Sequence, residues 1–497
     1  MPKTLKNYIG GKWVDTTGGH IEVMNPALDQ VIALSPKSTI DEVDQAVAAA
    51  KAAFWDWRNT PATRRAICLF NLRQKLYDHK QELAAIMVAE HGKTMSDALG
   101  ELTRSYEYVE FTCGIPELMK GSYSEDVARK VDTHFIREPL GPFLILPPFN
   151  FPAMIALYFC WPVACGDTVV IKSATQCPMT INRIVELAGE CGFPPGVINL
   201  VGCGRDQVHR LLTHPDMRGV TFVGSSQVGE IVYKTATAVC KRAQVQGGAK
   251  NHLVVNQDCP IDANLDNIIG SCYGNSSQRC FAGSNLLVHE AVYDEFLAKF
   301  LAAAQAQVLG NGMAPGVTMG PVVSRASLES ALGFIERAEK AGARILLDGR
   351  NPKVAECPRG YFLAPTLIEA EPDMEVWREE VFAPVRCIKK IKDLAEAVEI
   401  INASQFGHTA VIYTENGGQA RDFVRLCDTG QIGINVGTPA PIAFYPVGGR
   451  RTSFYGDLRG RANDAIDFYT DKKVVVTRWL SAIDVPDSVL KQEAKLF

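Results

Sequence analysis

None of the 14 cysteines in this 497-residue sequence lies two residues from another, so the spacing of a zinc-ligand pair is missing and no metal is expected. A paired cysteine framework is missing too, which fits a reducing compartment and excludes a small disulfide-built secreted scaffold. Neither sign of charge dominates. The net charge of −4 gives no electrostatic case for nucleic acid or an anionic membrane as partner. Lys3, Lys6 and Lys12 are not followed by an apolar stretch of signal-peptide length, so a cytoplasmic protein is expected. Internal repeats, low-complexity tracts and long linkers are absent. One stretch, 139–166, has no charged residue and is long enough to cross a bilayer. Pro139, Pro142, Pro147, Pro148, Pro152 and Pro162 interrupt it, with Asn150 in the middle. A buried strand, a proline-rich turn and a buried helix are expected there instead of a membrane span.

What is present is an alternation of short apolar strands with helices. Strands are predicted at Phe143–Leu146, Thr168–Ile171, Val197–Val201 and Val220–Val223. Helices are predicted at Ala153–Ala164, Pro178–Glu190 and from Gly229 to about Val239. A second series places strands at His252–Val255 and Asn285–His289, with helices at Ala263–Tyr273 and Val292–Val308. Such alternation argues for an α/β fold with a doubly wound parallel sheet. The valine- and threonine-rich tail Asp467–Trp479 reads as strands. Tyr123–Arg137 reads as a charged ribbon that pairs with another subunit or forms an internal hairpin.

Three features carry chemistry. Gly224-Ser225-Ser226-Gln227-Val228-Gly229 lies between a strand and a helix, where backbone N–H groups and a helix N-terminus favour phosphate. It departs from the usual GxGxxG spacing, and a plain βα turn is the alternative. Lys172 ends a strand, the place where doubly wound sheets bind ligands. Cys280 follows Arg279, and a neighbouring cation favours the thiolate nucleophile. The alternative is one more buried cysteine. Asn150, a polar group inside Phe149-Asn150-Phe151-Pro152, is either a turn-stabilising residue or an amide aimed at a developing oxyanion.

These motifs, with Gln278-x-Cys280, Gly360-Tyr361-Phe362-x-x-Pro365-Thr366 and Glu380-Val381-Phe382-Ala383-Pro384, resemble the aldehyde dehydrogenase superfamily in order and spacing. The resemblance runs from about Asn7-Tyr8-Ile9-Gly10-Gly11 to the final strands. It implies a Rossmann-like cofactor domain (1–121 and 141–246), an α/β catalytic domain (247–448) and a small β oligomerisation segment (122–140 and 449–497). It also implies a homodimer or homotetramer. Cys280 would attack the aldehyde, and Asn150 with the Cys280 amide would hold the oxyanion. Phe149, Lys172, Thr175, Gly224, Ser225, Glu380 and Phe382 would contact the cofactor. Lys172 would meet the adenosine ribose or its phosphate, Ser225 the pyrophosphate and Glu380 the nicotinamide-side ribose.

Gly248-Ala249-Lys250-Asn251-His252, Gly430-Gln431-Ile432-Gly433-Ile434-Asn435-Val436 and the ending Phe468-Tyr469-Thr470…Thr477-Arg478-Trp479 look like the methylmalonate-semialdehyde dehydrogenases. In that group CoA takes the acyl product and the substrate's carboxylate leaves as CO₂. Malonate or methylmalonate semialdehyde is the substrate this implies, with acetyl-CoA or propionyl-CoA as product. Hydrolytic relatives use a Glu as base where this chain has Gln246, and an amide cannot accept a proton near neutral pH. Hydrolysis to a free acid stays open as an alternative if the 90–93 region or Glu380 supplies the base. A non-catalytic nucleotide-binding relative is a third reading, opposed by the joint presence of Cys280, Asn150 and Lys172. Arg104 and Arg279 match the group's carboxylate-binding arginines, and paired guanidiniums suit a carboxylate. An ion pair of Arg104 with Glu101 or Glu107 is the alternative. Thr175 stands where the family usually has a Glu that repels a 2′-phosphate, so NADP is expected to be usable beside NAD.

Overall fold

The central strand Pro142–Leu146 is apolar on both faces, and the sheet around it is covered on both sides. Residues 2–480 are described by the computed structural model. Phe143 and Ile145 pack into one core with Val169 and Ile171, under the helices Ala62–Asp78, Met95–Cys113 and Pro178–Gly189. Leu144 and Leu146 face the opposite way and join Val170, Val220 and Phe222, covered by the helices Ile40–Asn59, Arg205–Thr213 and Ser226–Thr237. The side-chain period of two in a strand thus feeds two cores.

This sheet runs, in spatial order, Phe454–Tyr455, Arg242–Gln246, Gly219–Val223, Pro142–Leu146, Thr168–Lys172, Ile198–Val201, Asn7–Ile9 and Lys12–Val14. From Arg242–Gln246 to Ile198–Val201 every pairing is parallel. The chain winds outward from Pro142–Leu146 in one direction, then returns to wind outward in the other. The order therefore reverses between Pro142–Leu146 and Gly219–Val223, which opens a crevice at their carboxyl ends. A second sheet follows the order Arg344–Leu347, Thr366–Glu369, Val385–Ile391, Gly283–His289, Asn251–Val255, Thr409–Tyr413 and Gln431–Ile434. All its pairings are parallel except that of the edge strand Arg344–Leu347. The doubly wound α/β expectation is met.

The charged ribbon is an internal hairpin, Ser122–Ala128 with Val131–Pro139, extended by Thr470–Arg478 into a three-stranded sheet. The segment expected to join subunits is divided. Arg450–Arg451 pairs with Phe406–Gly407, and Phe454–Tyr455 edges the first sheet; Thr470–Arg478 alone lies on the ribbon. Its last part, 481–497, lies outside the described residues. Two predicted elements differ. The helix expected at Ala153–Ala164 is a 3₁₀ turn at Ala156–Phe159 followed by a short α-helix, Cys160–Cys165. Pro162 has no N–H, and its ring crowds the carbonyl one turn back, so a continuous helix is excluded. The start of the expected tail strands is helical, Ala462–Tyr469, because Phe468 and Tyr469 turn back to pack on Phe143. No described helix is long and apolar enough to cross a membrane.

Asp167 ties the ribbon to the central sheet. It is fully buried, and its carboxylate accepts the N–H groups of Leu140 and Gly141 at 2.6 and 2.8 Å. Burial holds its pKa well above the usual carboxylate range, against those two hydrogen bonds. A folded-state pKa above the unfolded one gives stability that is complete below the unfolded pKa and is lost as pH rises through the folded pKa. Asp167→Asn keeps the acceptor and removes the charge. Urea unfolding from about pH 4 to about pH 8 should therefore show the variant gaining on the wild type as pH rises. A difference that does not change with pH would contradict this assignment.

Candidate functional site

The loops that leave the two strands at the reversal point face each other across a cavity of about 430 Å³. Its walls include Phe149, Lys172, Thr175, Gly224, Ser225, Glu380 and Phe382, together with Asn150 and Cys280. All the residues expected to touch a cofactor therefore meet the expected nucleophile and its amide partner in one space.

Gly224 and Ser225 lead into the helix Ser226–Thr237. Ser225 caps it by accepting the Val228 N–H at 3.4 Å, and Gly224 N donates to Gln246 O at 3.1 Å. A side chain at Gly224 would meet the Phe222 ring at 2.5 Å, so the backbone lies bare to the cavity. Lys172 ends its strand with Nζ 3.3 Å from the Thr175 hydroxyl. Burial lowers its pKa. Phe149 lies between His91, stacked at 6.0 Å between centroids, and Phe382, edge-on at 5.9 Å. A cation, an open helix N-terminus, bare glycine backbone and a carboxylate around one elongated cavity fit a dinucleotide.

Asn150 is held at both ends. Its side-chain amide donates to Gln278 O at 2.9 Å and lies 3.9 Å from the Cys280 sulfur. Its carbonyl accepts from Lys93 Nζ at 2.9 Å, and Lys93 forms an ion pair with Glu101 at 2.6 Å. Both partners are buried, and Glu101 also accepts the N–H groups of Ala153 and Met154 at 2.8 and 3.0 Å. Each charge and each lone N–H of the proline-rich turn thus finds a partner. On the other side, Asn275, Ser276 and Ser277 all have left-handed backbone, with φ of 56°, 50° and 62°. Side-chain bonds over-determine that strained run. Ser276 Oγ donates to Gly320 O at 2.8 Å, Ser277 Oγ to Cys272 O at 2.6 Å and Asn275 Nδ2 to Gln278 O at 3.1 Å. Beyond it, Asn251 Nδ2 donates to Cys280 O at 2.7 Å and to Ala282 O at 2.9 Å.

Burial pushes the Cys280 thiol up to about 11, and the Glu380 carboxylate adds to the rise. The Asn150 amide and the Arg461 guanidinium oppose it. The expectation that Arg279 supplies the cation beside the thiol is corrected. Arg279 turns away from its neighbour, and its Nη2 pairs with Asp97 Oδ1 at 2.6 Å. Successive residues of a turn project in different directions, and Asp97 in the first turn of the helix Met95–Cys113 captures the guanidinium. Arg104 is paired with both oxygens of Glu107, at 3.2 and 3.0 Å. Neither arginine lines the cavity. Glu101, offered as an alternative partner of Arg104, belongs to Lys93 instead. Glu90 is buried and accepts the N–H groups of Met179 and Thr180, which leaves it outside the cavity as well. Gln246 is buried, its Nε2 has no partner, and it points towards Gly460. Glu380 accepts the Ala249 N–H at 2.9 Å, and burial pushes its carboxyl up to about 7.

Lys93, Glu101, Asn251 and Arg461 had no distinguishing signal in the sequence. Each lies far along the chain from what it supports, and each is an ordinary residue of a loop, helix or strand end. Among the described residues, no cluster of three or more His, Cys, Asp or Glu is arranged to hold a metal.

The chain belongs to the aldehyde dehydrogenase family, whose model matches residues 13–475. It is 43% identical over 483 residues to malonate-semialdehyde dehydrogenase 2 of Geobacillus kaustophilus, covering 96% of this chain and 99% of that one. Its fold is similar to the crystal structure of the methylmalonate-semialdehyde dehydrogenase of Oceanimonas doudoroffii, with a TM-score of 0.95, 36% identity, and 97% and 99% of the two chains covered. A Sinorhizobium meliloti protein assigned to the methylmalonate-semialdehyde dehydrogenases and solved with NAD gives a TM-score of 0.95 at 34% identity, with 97% and 99% covered.

Removing Lys93 would leave Glu101 charged and buried without its counter-ion. Lys93→Met should cost about 3–5 kcal/mol of stability in denaturant unfolding, the usual penalty for a broken buried pair. A cost below about 1 kcal/mol would mean that the pair does not hold the Asn150 turn.

Proposed function

We propose that the protein is an NAD-dependent, CoA-acylating dehydrogenase of malonate or methylmalonate semialdehyde that works through a thioester on Cys280. The observation that carries this reading is Gln246, an amide where a water-activating carboxylate would be needed, beside a cavity that unites Cys280, Asn150 and the dinucleotide-sized cleft. The likeness to malonate- and methylmalonate-semialdehyde dehydrogenases over nearly the whole chain supports the substrate class. The likeness to a protein solved with NAD supports the cofactor.

The Cys280 sulfur adds to the aldehyde carbon, and the carbonyl oxygen takes the negative charge. The Asn150 side-chain amide and the Cys280 N–H stabilise that oxygen. When bound, NAD supplies the hydride acceptor that converts the adduct to a thioester. Gly224, Ser225, Lys172, Thr175, Phe149, Glu380 and Phe382 are the residues that would hold it. Gln246 has no basic atom for water, so the thioester waits for the CoA thiol, a better nucleophile once ionised. The thiol expels Cys280, the substrate's carboxylate having left as CO₂, and acetyl- or propionyl-CoA departs. Residues 1–121 with 141–246 form the cofactor-binding unit in this reading, and 247–448 the catalytic unit. The exposed edge Ser122–Ala128 and the exposed Val474 and Val476 support the ribbon as the place where subunits meet in a homodimer or homotetramer. The free cysteines support a reducing, cytoplasmic setting.

A second reading, hydrolysis, rests on Glu380, whose carboxyl near 7 is in the range of a general base. Without CoA, the proposed enzyme should give one fast burst of NADH, about stoichiometric with active sites, followed by slow turnover. CoA should accelerate the steady state and leave the burst unchanged. Gln246→Glu should raise CoA-independent turnover by about a hundredfold if the new carboxylate reaches the water. Fast turnover without a burst or a CoA response, abolished by Glu380→Gln, would replace this reading with hydrolysis.

Thr175 leaves Lys172 without an acidic neighbour at the expected ribose site, so NADP should also be used. Thr175→Glu should lower kcat/KM for NADP by about tenfold or more and change that for NAD little. Equal effects on the two cofactors would remove Thr175 from the discrimination.

A further inference from the structure

We propose that Arg461, rather than Arg104 or Arg279, receives the carboxylate of the substrate and so selects acidic semialdehydes. This rests on the proposed function and goes beyond it by naming a specificity residue. Arg461 is 3% exposed. Its Nε donates to the Tyr158 hydroxyl at 3.2 Å, its Nη1 to Pro441 O at 2.7 Å, and its face lies 4.5 Å from the centre of the Tyr108 ring. Among the described residues no acceptor meets Nη2, and no carboxylate comes within ion-pair distance. A buried guanidinium without a counter-ion is costly, and an anion that arrives with the substrate would relieve that cost.

The position suits that anion. Tyr158 belongs to the 3₁₀ turn that follows Asn150. Gly460, the residue before Arg461, is packed so tightly against the Gln246 amide that a Cβ there would collide with it. His408, whose two ring nitrogens are buried without partners, lies in the field of Arg461 and packs on Phe281 at 4.5 Å between centroids. Arg461 is thus bracketed by the oxyanion-side turn, the deacylation-side amide and the residue after the nucleophile. Its charge reaches the Cys280 sulfur. In malonate semialdehyde a single carbon separates the reacting carbon from the carboxylate, so a cation that acts on the sulfur also acts on that carboxylate. The other two arginines are already neutralised, Arg104 by Glu107 and Arg279 by Asp97. Glu107, the carboxylate whose charge Arg461 feels, is taken by Arg104. The unmatched N–H groups of a planar fork are what a carboxylate binds.

The test measures kcat/KM with NAD and CoA for full-length wild type, Arg461→Met and Arg461→Lys, on malonate semialdehyde and on propanal. Arg461→Met should lose about a hundredfold on malonate semialdehyde, mainly through KM, and less than about threefold on propanal. Arg461→Lys should recover part of the loss. Equal losses on both aldehydes would overturn the proposal, because they would assign Arg461 to the thiol or to the fold. A loss confined to the acidic substrate in Arg104→Met or Arg279→Met, but not in Arg461→Met, would overturn it too. If Arg461→Met does not fold, Arg461→Lys decides with malonate as the probe. Wild type should be stabilised thermally by malonate and inhibited by it competitively against the semialdehyde, and the lysine variant should show both effects weakened; unchanged malonate binding would overturn the proposal. Wild type with no CoA-dependent turnover of malonate semialdehyde would sink the proposed function alone. Arg461 would then be judged by the same variants on succinate semialdehyde against butanal.

Discussion

The Asn150 turn depends on a single buried ion pair. Lys93 holds the Asn150 carbonyl, and Glu101 holds both Lys93 and the two N–H groups that follow the turn. In a segment that five of its prolines crowd into one turn region and the helix behind it, few backbone donors remain to fix its shape. The ion pair supplies what a regular helix would have supplied through its own hydrogen bonds. It does so from the helix Met95–Cys113, which is itself packed into the core beneath the central sheet. The amide of Asn150 is then carried to within reach of Gln278 and Cys280, so the two sheets meet at a residue whose freedom has been removed from both sides.

The Cys280 side of the cleft is built by the opposite device. No long-range ion pair holds it. Three consecutive left-handed residues that are not glycine are kept in place by hydroxyl and amide bonds to carbonyls of the surrounding core. Strain of this kind persists only where neighbours over-determine it. It sets the direction in which the thiol points, and it separates the thiol from the guanidinium next to it in the chain. The charges that act on the sulfur come from elsewhere: a carboxylate that opposes ionisation, and a guanidinium from the C-terminal part of the chain that favours it. A thiol near 11 in the unliganded protein is a resting state with little thiolate at neutral pH. Such a balance responds strongly to any ligand that changes the local charge or expels water.

The fold was largely legible because its signals are local. The apolar runs at Phe143–Leu146, Thr168–Ile171 and Val220–Val223 have nowhere to go but a sheet covered on both faces, and the turns after them carry the glycine, serine and lysine of a ligand-binding edge. The elements that were misread lie where tertiary contacts override local preference. A proline split the expected helix after Asn150, and an aromatic pair packed on Phe143 wound the start of the last strands into a helix.

For the site, the residue types and their order along the chain already named the nucleophile, the amide and the cofactor-edge residues that meet in one cavity. They also placed an amide at position 246, which constrains the chemistry by its functional group alone, whatever its geometry. The direction in which each charge acts was not legible. Sequence adjacency gave Cys280 the wrong cation, since covalent neighbours on a turn diverge while residues hundreds of positions apart converge. Only the tertiary structure paired Arg279 with Asp97, Arg104 with Glu107 and Lys93 with Glu101, and brought Arg461 into range of the sulfur. Charge interactions depend on distance and burial through space, and neither quantity is written in the order of residues.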